Sequence, residues 1–172
     1  MSLIHFEKNL VMFSGTTNAI IQTGKYTVGD KANGGTVIYT WNGGFNGIVA
    51  SNSLGNMVWG CNTTLISGSF DSSIGKGKDN TNLIISGCPT SPAATACTGY
   101  NGGGYTDWFL PSYYECIEIM KCHTYLGLTD DYFWSSNQYN SSNSYATYWN
   151  PSANGGWIDK VTTNQVIACR YF

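Results

Sequence analysis

The sequence predicts an α+β domain, and three observations carry that expectation. A β-branched and aromatic run meets a second such run across an Asn-Gly-Gly turn. A capped helix sits in the middle of the chain, and short strand-like runs broken by turn residues fill its C-terminal part.

Thr36-Val37-Ile38-Tyr39-Thr40-Trp41 and Gly47-Ile48-Val49-Ala50 read as paired strands. Asn42-Gly43-Gly44 between them supplies the positive-φ residues that a tight hairpin requires. Met57, Val58 and Trp59 form a short buried piece. The stretch from Ile74 to Thr81 has glycines and lysines but neither the Walker nor the dinucleotide spacing, so it reads as a surface loop leading into a helix. Pro92 to Cys97 is Ala-rich and helical by propensity. Ser112-Tyr113-Tyr114-Glu115 is a capping box: Ser112 can accept from the amide of Glu115, whose carboxylate can return the bond. Cys116, Ile119 and Met120 follow at helical spacing, and Gly127 ends the element. The strands Tyr132–Trp134, Tyr145–Trp149, Trp157–Ile158 and Val166–Cys169 close the chain, and the terminal strands are expected to meet in one sheet.

Composition narrows the function classes. At 172 residues the chain suits one domain, and it carries 10% charged against 15% aromatic residues. No apolar run of about 18 residues exists, which excludes a spanning helix. Eight basic residues spread thinly, with Arg170 the only arginine, exclude a phosphate-tracking surface and hence nucleic acid. The N-terminus has no basic start or unbroken apolar core, so a secretory signal is not expected. Six cysteines lack both CxxC pairs and tight scaffold spacing, and are expected as free, buried thiols.

Three blocks of the sequence resemble a known family. They are Gly29-Asp30 with Gly34 to Tyr39 and Gly47 to Ala50; Gly104-Tyr105-Thr106-Asp107-Trp108-Phe109-Leu110-Pro111-Ser112 with Glu115; and Phe133-Trp134-Ser135-Ser136 with Val166 to Arg170. From about Gly24 to Phe172 the chain resembles the C-terminal domain of Legionella collagen-like adhesins. The resemblance implies a C-type-lectin-like α+β fold, with two helices around a small, mostly antiparallel sheet and long irregular loops. It also implies a recognition role on a virion or cell surface, toward host glycan or a surface receptor, often as a homotrimer. Only one of the two arginines usual at the family's end is present, as Arg170, and the sequence has no collagen-like repeat. By resemblance to C-type lectins, Cys97 and Cys169 stand where a bridge often lies, but cytoplasmic synthesis favours the reduced state.

Catalysis and metal binding find no support in the residues. Cys122 and His123 are neighbours on a helix and point about 100° apart, too far for a shared proton line. Trp149-Asn150-Pro151 lacks the acid that calcium-dependent sugar binding needs, and the formylglycine-generating chemistry of the same fold needs a cysteine pair where Cys169 stands alone. No catalytic residue, cofactor or metal is assigned. Asp107, Trp108, Pro111, Ser112, Glu115, Trp134 and Arg170 are assigned to structure: core filling, helix initiation, and neutralisation of Arg170 by Asp107 or Glu115.

The candidate site is the charge-free segment from Asn137 to Trp157. Tyr, Trp, Ser, Asn and Gly dominate it, the palette of antibody binding loops. Its ligand-binding candidates are Asn137, Tyr139, Asn140, Asn143, Tyr145, Tyr148, Trp149, Asn150, Asn154 and Trp157, with the stretch from Asn42 to Asn46 as the fallback. The rival reading is a decoration subunit of a capsid, tail or filament, whose neutral stretches are subunit contacts. Residues 1–23 form an expected arm whose Leu3, Phe6, Leu10, Val11 and Phe13 dock on a neighbouring chain, in a trimer or on another virion or surface protein.

Overall fold

Asn42, Gly43 and Gly44 take φ angles of 49°, 67° and 93°, and this left-handed turn folds the first two long strands onto each other. β2 (Gly35–Trp41) then pairs antiparallel with β3 (Asn46–Val58), from Thr36 opposite Ala50 to Trp41 opposite Asn46. A two-residue β1 (Lys31–Ala32) flanks β2.

The computed structural model describes residues 25–68, 71–129, 131–141, 143–148 and 155–172, with residues 143–148 through their backbone only. The expected arm over residues 1–23 lies outside them, as do Trp149, Asn150 and Asn154.

After β3 come four helices: α1 (Gly77–Gly87), α2 (Pro92–Thr98), α3 (Tyr113–Lys121) and α4 (His123–Leu126). Strands β4 (Tyr132–Gln138), β5 (Asn143–Tyr148), β6 (Gly155–Asp159) and β7 (Thr163–Tyr171) follow. The seven strands form one sheet in the order β1-β2-β3-β7-β4-β5-β6. The last strand thus returns to the centre beside β3, as the sequence led one to expect. Among the described residues its only parallel neighbour is β4, paired at Phe133 opposite Gln165, so the sheet is mostly antiparallel.

Alternation along the central strands sends apolar side chains to both faces. Val37, Val49, Val166, Ala168 and Trp134 pack on one face with Ile84 of α1 and Ala93, Ala94 and Cys97 of α2. Ile38, Ile48, Ile167, Cys169 and Phe133 pack on the other with Ile119 and Met120 of α3 and Leu126 of α4. Helices on both faces explain why Val166-Ile167-Ala168-Cys169 is an unbroken apolar run.

The architecture is α+β, larger in detail than the two helices and small sheet of the expectation. Among the described residues there are four helices, and α1 was legible only as a loop running into a helix. The reason is its polar buried face. Thr81 donates its hydroxyl to Gly77 O at 2.7 Å and accepts from the Leu110 amide at 3.0 Å, while Asn80 donates to Asp71 O at 2.7 Å. A face satisfied by hydrogen bonds shows no apolar period.

The cysteines need one correction. Cys61 and Cys88 are bonded, with Cα atoms 6.2 Å apart, joining the loop after β3 to the end of α1. They are separated by 27 positions, so nothing local announces the pairing. Cys97, Cys116, Cys122 and Cys169 remain free and buried. Cys97 points its thiol at Ile167 O, 3.8 Å away, and complete burial pushes that thiol far above its ordinary pKa.

Candidate recognition surface

β4, β5 and β6 form an antiparallel meander at one edge of the sheet, with Tyr145 in register with Trp157 and Ser144 with Ile158. β4 ends at Gln138, and the chain turns out into Tyr139, Asn140 and Ser141. Tyr139 is 48% exposed and Trp157, on the edge strand, 59% exposed. The two rings lie against each other, centroids 5.5 Å apart and planes 7° from parallel. Asn140 is exposed beside them. Each ring covers one face of the other, which restrains both rotamers and reduces the entropy lost when a ligand meets the remaining surface.

Beneath this pair the protein is polar but closed. Asn137 is buried, a correction to its placement on the ligand face: its Oδ1 accepts from the Tyr113 amide at 2.7 Å, fastening β4 to the start of α3. Gln138 is buried as well, and its Oε1 accepts from the Lys160 ammonium at 2.7 Å. Lys160 is 0% exposed. Its other two N–H groups reach Thr64 O at 2.9 Å and Ser141 O at 3.1 Å, and the ammonium sits 4.8 Å from the centre of the Trp59 ring. One cation thereby ties the Tyr139 turn to the loop after β3, with acceptors for all three donors.

Burial lowers the Lys160 pKa from 10.5 to about 8, against the pull of Asp159, the adjacent carboxylate. The sign of the consequence follows directly. Between about pH 8 and 10.5 the unfolded chain holds a proton on this lysine that the native protein has released, so the lysine's contribution to stability rises with pH. The stability of the wild type relative to Lys160→Met is expected to increase by on the order of 3 kcal/mol across that window. The buried thiols and Tyr171, raised by burial, act in the opposite sense but are common to both proteins. Parallel urea titrations at several pH values measure the difference, and a flat difference would contradict the buried ammonium.

Of the other ligand-binding candidates, Asn143, Tyr145 and Tyr148 lie on β5, where only the backbone is described. The structure thus brings Tyr139, Asn140 and Trp157 to the surface and removes Asn137. Sequence reasoning missed Lys160, because Asp159-Lys160-Val161-Thr162 has the composition of an ordinary surface turn.

The residues assigned to structure are where a scaffold needs them. Arg170 pairs with Asp107 through two bonds, Nε to Oδ1 at 2.7 Å and Nη2 to Oδ2 at 3.2 Å, and its guanidinium lies 3.7 Å from the centre of the Tyr105 ring. That contact holds the Asp107 carboxyl below its usual range. Glu115 has a different task. Its carboxylate accepts from the Ser112 amide at 2.7 Å, the Gly75 amide at 2.8 Å and the Tyr171 hydroxyl at 2.7 Å, while the Glu115 amide donates to Ser112 Oγ at 3.3 Å. The capping box is complete, and burial pushes the carboxyl upward despite these donors. Trp108 is buried edge-on to Tyr100, with centroids 4.9 Å apart. Pro111 O accepts from the Ser136 amide at 2.7 Å, and Trp134 Nε1 donates to Met57 O at the same distance.

Cys122 and His123 do not face each other. The thiol points to Ile38 O at 3.5 Å, and His123 Nδ1 meets Met120 O at 3.0 Å. Among the described residues no group of three or more His, Cys, Asp or Glu is placed to hold a metal ion, and no helix is long and apolar enough to cross a membrane. No protein-family model and no curated protein matches the chain.

Proposed function

We propose that the chain is a non-enzymatic recognition module of C-type-lectin-like architecture, borne on a virion or cell surface, that binds a host glycan or surface receptor through the Tyr139–Trp157 face. The observation that carries the reading is the exposed, parallel stack of those two rings within a segment that has no charged residue from Tyr132 to Ile158. Flat aromatic faces take the C–H edges of a sugar ring, and carboxamides such as that of Asn140 take hydroxyls. A charge-free surface suits an uncharged partner, because it sets no desolvated charge against it.

The underlying frame supports the same reading. Lys160 ties the turn to the loop after β3 and Asn137 fastens β4 to the start of α3, so the elements that carry the rings are anchored by hydrogen bonds. A glycan array with the isolated protein tests the proposal. Saturable binding to neutral glycans is the expected result, and no binding to any glycan or host-cell extract, from folded protein, speaks for the decoration subunit instead.

A further inference from the structure

At the other edge of the sheet, the β1–β2 turn, β3 and the residue Tyr100 after α2 border an open groove of about 480 Å³. That volume lies in the range of small-ligand sites. Its side chains come from Lys31, Asn33, Thr36, Asn52 and Tyr100, and Ala32 is the largest aliphatic group in the lining. Among the described residues no carboxylate lines it. An apolar ligand would therefore find little to bury against, while a hydroxyl-rich one finds amide and phenol partners.

The charge in the groove is positive. Lys31 Nζ donates to Thr36 Oγ1 at 2.6 Å and to Tyr125 O at 3.1 Å, two acceptors for an ammonium that can donate three bonds. Arg170 lies behind Asn33, with Nη1 3.4 Å from Asn33 O, but Asp107 already balances it. Lys31 thus has no ion pair among the described residues. Asn33 itself is held at a φ of 51°, a left-handed conformation uncommon for a residue other than glycine, and its buried Nδ2 has no hydrogen-bond partner among the described residues.

We infer that this groove is a second binding site, which takes a small hydroxyl-rich carboxylate, the chemistry of a sugar acid. The ammonium of Lys31 meets the carboxylate through a charge-assisted bond, while Asn52 and Tyr100 meet hydroxyls. The inference does not depend on the Tyr139–Trp157 face, which lies beyond the intervening strands.

The test is an NMR titration of the full chain with glucuronate, and with glucose as its neutral counterpart. Glucuronate is expected to produce saturable shifts at residues 31–36 and 52, and glucose to bind at least about tenfold more weakly. Lys31→Met is expected to weaken glucuronate about tenfold or more. Asn52→Leu, at an exposed position, is expected to weaken it while leaving the melting temperature unchanged, and it decides the matter should Lys31→Met fail to fold. Trp157→Ala is expected to leave glucuronate affinity unaltered, whatever it does to glycan binding elsewhere. Absence of saturable shifts, equal affinity for the two sugars, or wild-type affinity in the folded Lys31 variant overturns the inference.

Discussion

Glu115→Ala is expected to lose about 2–4 kcal/mol of folding stability, since it leaves the buried Ser112 amide and the partly buried Tyr171 hydroxyl without their acceptor and releases the Gly75 amide at an exposed turn. A buried donor left without its acceptor costs roughly 1–3 kcal/mol. The same carboxylate holds the start of α3, the loop before α1 and the end of β7, so these losses fall on a junction of three segments. Gly77 shows how close the approach is: a Cβ there would collide with the Glu115 carboxylate. Glu115→Gln keeps an acceptor oxygen and is expected to lose markedly less. Urea denaturation of the two variants measures the difference, and an alanine variant within about 1 kcal/mol of wild type would contradict the bonding scheme.

Removal of the Cys61–Cys88 bridge is the second large effect. The bond closes a loop with a sequence separation of 27, for which the chain-entropy relation gives roughly 3–4 kcal/mol. Cys61→Ala with Cys88→Ala is expected to lose that amount, a large share of the 5–15 kcal/mol that holds a typical domain together. Alkylation of the denatured, unreduced wild type is expected to label the four thiols of Cys97, Cys116, Cys122 and Cys169. Labelling of all six cysteines would contradict the bridge.

Much of the frame was legible in the sequence because it rests on local rules. The turn at Asn42-Gly43-Gly44 needs positive φ at successive residues, and Ser112 with Glu115 makes a reciprocal cap. Both are written within a few positions of the chain. Other features depend on what packs from a distance. Asn137 sits on β4, where every residue from Phe133 to Gln138 is buried, so alternation cannot separate its inner from its outer side chains. The register shift between Trp134 and Gln138 removes what parity remained. Lys160 was hidden by the opposite error. Lysine is almost never fully buried, and only the joint arrival of Thr64 O, Gln138 and Ser141 O makes an interior ammonium tolerable. Of the candidate site, composition gave the segment, and the fold supplied the two rings that meet.

The central claim is that Tyr139 and Trp157 form the recognition face, and one paired measurement reaches it most directly. Tyr139→Ala and Trp157→Ala are each placed on a glycan array and melted in the same buffer. An exposed aromatic at the centre of an interface commonly contributes 2 kcal/mol or more, roughly thirtyfold in affinity. Loss of the mutual stacking costs at most about 1.5 kcal/mol of stability. The account predicts binding reduced about thirtyfold in both variants, with a cooperative melting transition retained. Full binding by both folded variants would contradict it.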